Sequence, residues 1–143
     1  SVMQIPFPAE SFDLVTSFDL LYERAVTAVS AALAEMVRVL RPGGFLALAL
    51  LNRYSLWTVK RTLRAWLKPS LWREAAYTAP GELRRLLAGH PELEAVRTDQ
   101  AVYFPPWSSP RPLPYYPALE RLGRRLRLPW GAFLVAVARK RAS

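Results

Sequence analysis

From Thr27 to Leu40 the apolar residues fall at Val29, Ala32, Leu33, Met36, Val37 and Leu40. That is the spacing of an amphipathic helix, with Thr27 placed to cap its first turn. Upstream, "SFDLVTSF" (Ser11–Phe18) is short, β-branched and aromatic and follows the proline-bearing loop "IPFPAE", so it reads as a buried strand. Downstream, Pro42-Gly43-Gly44 stops the helix, because proline cannot continue it and glycine accepts the left-handed backbone that a helix end often needs. "FLALALL" (Phe45–Leu51) shows no alternation, which predicts a strand covered on both faces. Strand, helix, tight turn and strand make a βαβ unit with parallel strands, and the fold class is therefore α/β.

The second part of the chain continues the pattern. "SLWTVKRTLRAWLK" (Ser55–Lys68) is expected to be an amphipathic helix with Leu56, Val59, Leu63, Trp66 and Leu67 on one side and Lys60, Arg61, Arg64 and Lys68 on the other. A third helix is expected over Thr78–Gly89, with Thr78 near its start, Glu82 in its first turn and Gly89 closing it. Leu93–Phe104 and Gly131–Lys140 have strand composition. Between them lie the proline-rich stretch Pro105–Pro117 and a short arginine-rich helix around Ala118–Arg127. Residues 105–130 are expected to cover the rim of the sheet within one domain spanning 1–143.

Composition narrows the chemistry. The 143 residues contain no cysteine and a single histidine, His90, which removes disulfides, thiol nucleophiles and most metal-ligand clusters. His90, in "GHPE" after a helix, reads as a loop residue. No apolar run approaches the length of a bilayer span and no signal-peptide pattern leads the chain, so a soluble, cytoplasmic protein is the expectation. The net charge of +9 is uneven: residues 1–50 carry three arginines against five acidic residues, and the basic excess belongs to the rest. The chain opens at Ser1 directly into a buried-looking pattern, which suggests a piece of something longer.

"IPFPAESFDLVTSF", a helix ending "ALAEMVRVLRPGG" and an apolar strand ending "LNRYSLW" together resemble the C-terminal half of a class I S-adenosylmethionine-dependent methyltransferase of the type 11 kind. The resemblance extends loosely to "YFPPW". It implies a Rossmann-like sheet with strand order 3-2-1-4-5-7-6, whose last strand is antiparallel; this chain would supply strands four to seven as Phe12–Phe18, Phe45–Leu51, Leu93–Phe104 and Ala132–Arg139. It further implies S-adenosylmethionine as cofactor and a small, apolar methyl acceptor. The family's glycine-rich loop after its first strand and the acidic residue ending its second would precede Ser1 and are not in this sequence. An acidic residue that approaches the adenine amino group in relatives falls about where Ser1 stands, followed by a small apolar residue where Val2 stands. The resemblance places Ser1, Val2, Ser17, Phe18 and Leu21 against the cofactor, and Tyr22, Asn52, Arg53 and Trp57 toward the acceptor.

In an open parallel sheet, ligands bind beyond the carboxyl ends of the strands, where Ser17, Phe18 and Asp19 end one strand and Asn52, Arg53 and Tyr54 the next. Methyl transfer from a sulfonium requires alignment and exclusion of water and no nucleophilic residue. Asp19, Tyr22 and Glu23 are nearby in sequence, but nothing marks one of them as a general base, and no catalytic residue is assigned. Asn52-Arg53 has a plainer reading as a strand cap and a solvated loop. The chain alone is expected to be inactive. Rival readings are a non-catalytic interaction module, self-associating or pairing with an N-terminal half through the bare edge of the fourth strand, and a basic protein with weak contact to a membrane surface. Nucleic acid is not expected, since no nucleic-acid motif accompanies the basic helices.

Overall fold

Four strands form one mixed sheet in the order β1-β2-β4-β3, with β1 Phe12–Phe18, β2 Leu40–Leu51, β3 Leu93–Ala101 and β4 Phe133–Lys140. The computed structural model describes residues 4–18, 26–67, 77–103 and 113–142. β1 and β2 are parallel, while β4 is antiparallel to both β2 and β3. This is the order expected for strands four, five, seven and six, with the last strand reversed. Four helices complete the fold: α1 Val26–Val39, α2 Leu56–Leu67, α3 Pro80–Ala88 and α4 Tyr116–Arg125.

The core lies on one face of the sheet. Leu46, Leu48 and Leu50 of β2 stand opposite Ala138, Ala136 and Leu134 of β4. Val29, Leu33, Met36 and Val37 of α1 and Leu83 and Leu87 of α3 close over them. Only this face of β2 is fully sealed. On the other, Leu51 and Ala49 are buried but Phe45 is exposed, so the expected cover on both faces holds for the carboxyl end alone.

The geometry of the helix-to-strand passage differs from the expected simple turn. α1 ends at Val39 and β2 begins at once, with Phe12 of β1 paired to Leu40; pairing then jumps to Leu14 against Phe45, leaving Pro42-Gly43-Gly44 as an excursion of the strand. Gly43 takes φ 80°, and a Cβ on Gly44 would lie 2.9 Å from the carbonyl oxygens of both Arg41 and Asp13. Both glycines are therefore fixed by backbone geometry. The Lys140 ammonium donates to the carbonyls of Val37 and Leu40 at 2.9 and 2.7 Å, placing a cation at the negative end of α1.

The "IPFPAE" loop is clamped to the same helix end. Glu35 accepts from the Ile5 amide at 3.0 Å and pairs with Arg38, which in turn donates to the carbonyls of Ile5 and Phe7. The hydrogen bond from Arg38, then that from Ile5, holds the Glu35 carboxyl down at about 2.

Three expectations are corrected. Thr27 lies inside α1, which starts at Val26. Thr78 does not start α3: Ala79 precedes Pro80, and the Glu82 carboxylate reaches back to the Ala79 amide at 2.9 Å. β1 is not a buried strand, since it pairs on one side only among the described residues and Phe18 is 80% exposed. On the apolar side of α2, Leu56, Val59, Leu63 and Trp66 are all exposed, Trp66 at 85%. Expectations for Lys68, Phe104 and residues 105–112 lie outside the described residues.

Candidate functional site at the carboxyl ends of the parallel strands

The rim begins where β1 stops. Ser17 and Phe18 pair with Leu48 and Ala49, so β2 runs on past β1 to Leu51 and Asn52. Backbone groups of successive strand residues point to opposite sides. On the β4 side the Asn52 amide donates to Ala132 at 2.9 Å; on the β1 side the Thr78 amide donates to Leu51 at 2.9 Å and the Arg53 amide to Thr78 at 3.0 Å. Thr78 thus continues the sheet beyond the end of β1 as a one-residue parallel bridge to Asn52.

Asn52 is the centre of this arrangement and is wholly buried, at 0% exposure. Its Nδ2 donates to the Gly131 carbonyl at 2.8 Å, with longer approaches to Pro129 O at 3.4 Å and Gln100 Oε1 at 3.5 Å. Its Oδ1 accepts from the Tyr54 amide at 3.1 Å, and its carbonyl accepts from the Thr58 hydroxyl at 2.7 Å. Thr58 and Ser55 share a hydrogen bond at 2.8 Å, and Ser55 Oγ accepts from the Thr58 amide at 3.0 Å as the cap of α2. The side chain expected to touch an acceptor therefore spends its hydrogen bonds on the protein. In this geometry the side chain sets the exit of β2 and the turn before β4, while the Asn52 carbonyl holds the start of α2.

Arg53 emerges at the surface but is not loose. Its guanidinium meets both Glu82 oxygens, at 3.1 and 3.3 Å, and donates to the Tyr77 carbonyl at 3.1 Å, tying the rim to the first turn of α3. Trp57 lines a cavity of about 80 Å³ with Leu51, Ser55, Thr58, Val102, Ala132 and Phe133, beneath the start of α2. Ser17 and Phe18 stand at the end of β1, whereas Ser1, Val2, Asp19, Leu21, Tyr22 and Glu23 lie outside the described residues. The structure thus brings Asn52, Arg53 and Trp57 together at the end of β2 and leaves Phe18 as an exposed aromatic ring at the end of β1.

Two groups escape sequence reasoning. Gln100, at the end of β3, accepts from the Gly131 amide at 3.0 Å and completes the Asn52 cluster. Tyr103 is buried against Gly123 of α4, where a Cβ would come within 2.5 Å of the ring. The Glu120 carboxylate holds this junction by accepting from the Val102 and Tyr103 amides. Burial, reinforced by the Asp99 and Glu120 charges and opposed by Arg124, raises the Tyr103 hydroxyl above its ordinary value. Neither group has a sequence signal beyond its polarity within a strand-like run. α4 packs against the end of β3. Among the described residues no cluster of acidic and histidine side chains could hold a metal ion.

The sheet order and the reversed last strand match the C-terminal part of the class I S-adenosylmethionine-dependent methyltransferase fold. Residues 1–48 match the family model described as Methyltransferase domain. The fold is similar to that of a SAM-dependent methyltransferase from Thermotoga maritima, with a TM-score of 0.69 and 18% identity over 99% of this chain and 62% of that one. It is also similar to a SAM-dependent methyltransferase from Methanosarcina mazei, with a TM-score of 0.60 and 16% identity over 100% of this chain and 66% of that one. A Haloferax volcanii methyltransferase solved in complex with a methyltransferase activator aligns with a TM-score of 0.61 and 18% identity over 98% of this chain and 59% of that one. The chain thus spans about six-tenths of the length of these proteins. No curated protein matches its sequence. The family match over residues 1–48 and the shared fold bear out the resemblance to this methyltransferase class.

If Asn52 organises the rim, Asn52→Ala leaves the Gly131 carbonyl and Tyr54 amide without their partner, at about 1–3 kcal/mol for each buried group. Arg53→Ala removes an exposed ion pair with Glu82 and an exposed hydrogen bond to the Tyr77 carbonyl, together worth about 1 kcal/mol or less. Urea denaturation is expected to show Asn52→Ala destabilised by roughly 2 kcal/mol or more and Arg53→Ala by about half of that at most. Equal losses in the two variants contradict this assignment.

Proposed function

We propose that this chain forms the acceptor-side part of an S-adenosylmethionine-dependent methyltransferase and acts as part of a longer enzyme. The observation that carries the reading is the rim itself. β1 and β2 run parallel, β2 extends past the end of β1, and beyond it Asn52 fixes the turn that carries Arg53 and Tyr54 and leads into α2 with Trp57.

The cofactor supplies an electrophilic methyl on a sulfonium sulfur. Ser17 and Phe18 fit its flank in placement: a hydroxyl and an exposed ring sit at the strand end where class I cofactors lie. In the same reading Ser1, Val2 and Leu21 complete the cofactor side and Tyr22 faces the acceptor. Arg53, held by Glu82 and Tyr77, orients an acceptor at the exit of β2, and Trp57 walls that side against water. Asn52 positions both. Direct displacement gains from such positioning, and an aligned pair of reactants recovers much of the entropy of bringing them together. No residue is assigned as general base. The acceptor is a small molecule, apolar in character, as expected from the apolar lining near Trp57.

A second reading is favoured by α2. Leu56, Val59, Leu63 and Trp66 form an exposed apolar stripe, and the segment also carries Lys60, Arg61, Arg64 and Lys68 in its sequence. An apolar stripe with a basic complement suits the surface of an anionic bilayer, in which the helix lies in the interfacial plane. None of the helices among the described residues is long and apolar enough to cross a membrane. The open edge of β1, with Leu14 and Phe18 exposed, is suited to strand pairing with the remainder of such an enzyme or with a second copy.

Two measurements separate these readings. In calorimetric titration, the chain expressed with its upstream coding sequence is expected to bind S-adenosylmethionine with a micromolar dissociation constant, and the 143-residue chain alone more weakly than about 1 mM. Failure of both to bind contradicts methyl transfer, and tight binding by the short chain contradicts its partial role. In sedimentation with vesicles, wild type is expected to partition onto anionic lipid and Trp66→Ser/Leu63→Ser to lose most of that partition; equal recovery of the two proteins removes the membrane reading.

A further inference from the structure

A second concavity lies on the far side of the sheet from β1. It has a volume of about 590 Å³, within the usual range for small-molecule sites, and is walled by α3, the end of β3 and the end of α4. Strands lie about 4.8 Å apart, so its β3 wall stands roughly 10 Å across the sheet from β2, and Gln100, which lines it, joins it to the Asn52 cluster.

Its charge is one-sided. Arg84, Arg124 and Arg127 line it against a single carboxylate, Asp99. Arg124 approaches Asp99 only at 4.0 Å, and neither Arg84 nor Arg127 forms an ion pair among the described residues. Gln100 also lines it. Because its Oε1 already accepts from Gly131 and Asn52, the amide hydrogens are the hydrogen-bonding capacity it has left to offer. Donors therefore dominate the lining.

The walls are held in place. Leu83 and Leu87 anchor α3 in the core, while Glu120 and the Tyr103–Gly123 contact lock α4 to the end of β3. Arg127 carries the most specific signal. The Leu128 amide donates to Gly123 O and the Arg127 amide to Arg124 O, each at 3.1 Å, which is the Schellman closure of a helix. Its left-handed position is occupied by Arg127, at φ 50°, where glycine is the usual residue. Arginine adopts this position against its backbone preference, and Arg127 lines the cleft.

We propose that this cleft between α3, β3 and α4 is a binding site for a phosphomonoester, with Arg84, Arg124 and Arg127 as its guanidinium donors. Three guanidinium charges against one carboxylate leave an excess that matches the nearly divalent phosphomonoester at neutral pH better than a single carboxylate. Planar guanidinium groups also present paired donors to phosphate oxygens. The site does not depend on the methyl-transfer reading.

The test uses phenyl phosphate as a soluble probe and phosphatidic acid vesicles as the lipid form of the same group, at constant ionic strength. Wild type is expected to bind phenyl phosphate saturably, and Arg84→Gln/Arg127→Gln to bind at least tenfold more weakly. The equally discharged Arg85→Gln/Arg125→Gln pair, whose side chains do not line the cleft, is expected to stay within twofold of wild type. Asp99→Asn, which removes the opposing charge, is expected to tighten binding at least threefold, and it provides a readout if the double variant does not fold. Vesicle binding without phenyl phosphate binding, abolished by the cleft variant alone, assigns the phosphomonoester to a lipid headgroup. No saturable binding to either probe overturns the site. So do equal weakening by the two arginine pairs and an Asp99→Asn variant that binds no more tightly.

Discussion

The buried amide of Asn52 is the constraint on which the rim depends. The Asn52 side chain bridges the exit of β2 and the turn leading into β4, and its backbone carbonyl holds the start of α2. Burying an amide is tolerable only when its donors and acceptor are met, and here the acceptor is met two residues on by Tyr54 and the donor by Gly131, distant in sequence. Those segments must consequently arrive together. Thr78 then extends the sheet on the other side of β2, and Arg53 is drawn to Glu82 at the head of α3. The surface beyond the strands thus inherits its shape from a group that does not itself reach solvent.

Much of the fold was legible because its signals are local. Helical spacing in Val29–Leu40, the unbroken apolar run at Phe45–Leu51 and the strand composition near Gly131–Lys140 each follow from a periodicity or a propensity, and the family resemblance supplied the strand order. What was less legible depends on partners elsewhere in the chain. Phe12–Phe18 has the composition of a buried strand, yet its exposure is decided by what lies beside it. The stripe on α2 has correct helical spacing, but periodicity specifies that a face is apolar and not what covers it. Thr78 resembles a helix cap until its backbone is seen paired with β2.

The candidate site was legible in position more than in role. The carboxyl end of a parallel strand pointed to Asn52-Arg53, and the structure gathers both there with Trp57. That Asn52 is enclosed and Arg53 tethered could not be read from their order, since both facts rest on Gly131, Glu82 and Tyr77. Arg84 and Arg127 become neighbours only when α3 and α4 meet the end of β3. The molecule therefore divides its polar chemistry between a rim organised by a neutral amide and a cleft dominated by positive charge.

Hydrogen exchange at the Asn52 cluster tests the central claim most directly. The Tyr54 amide, which donates to Asn52 Oδ1, and the Asn52 amide, which donates to Ala132, are expected to exchange as slowly as the β2 amide of Leu48 and only through global unfolding. Exchange of the Tyr54 amide at the rate of the exposed Gly81 amide, with Leu48 still protected, would show that the rim is not organised by Asn52 and would contradict the account.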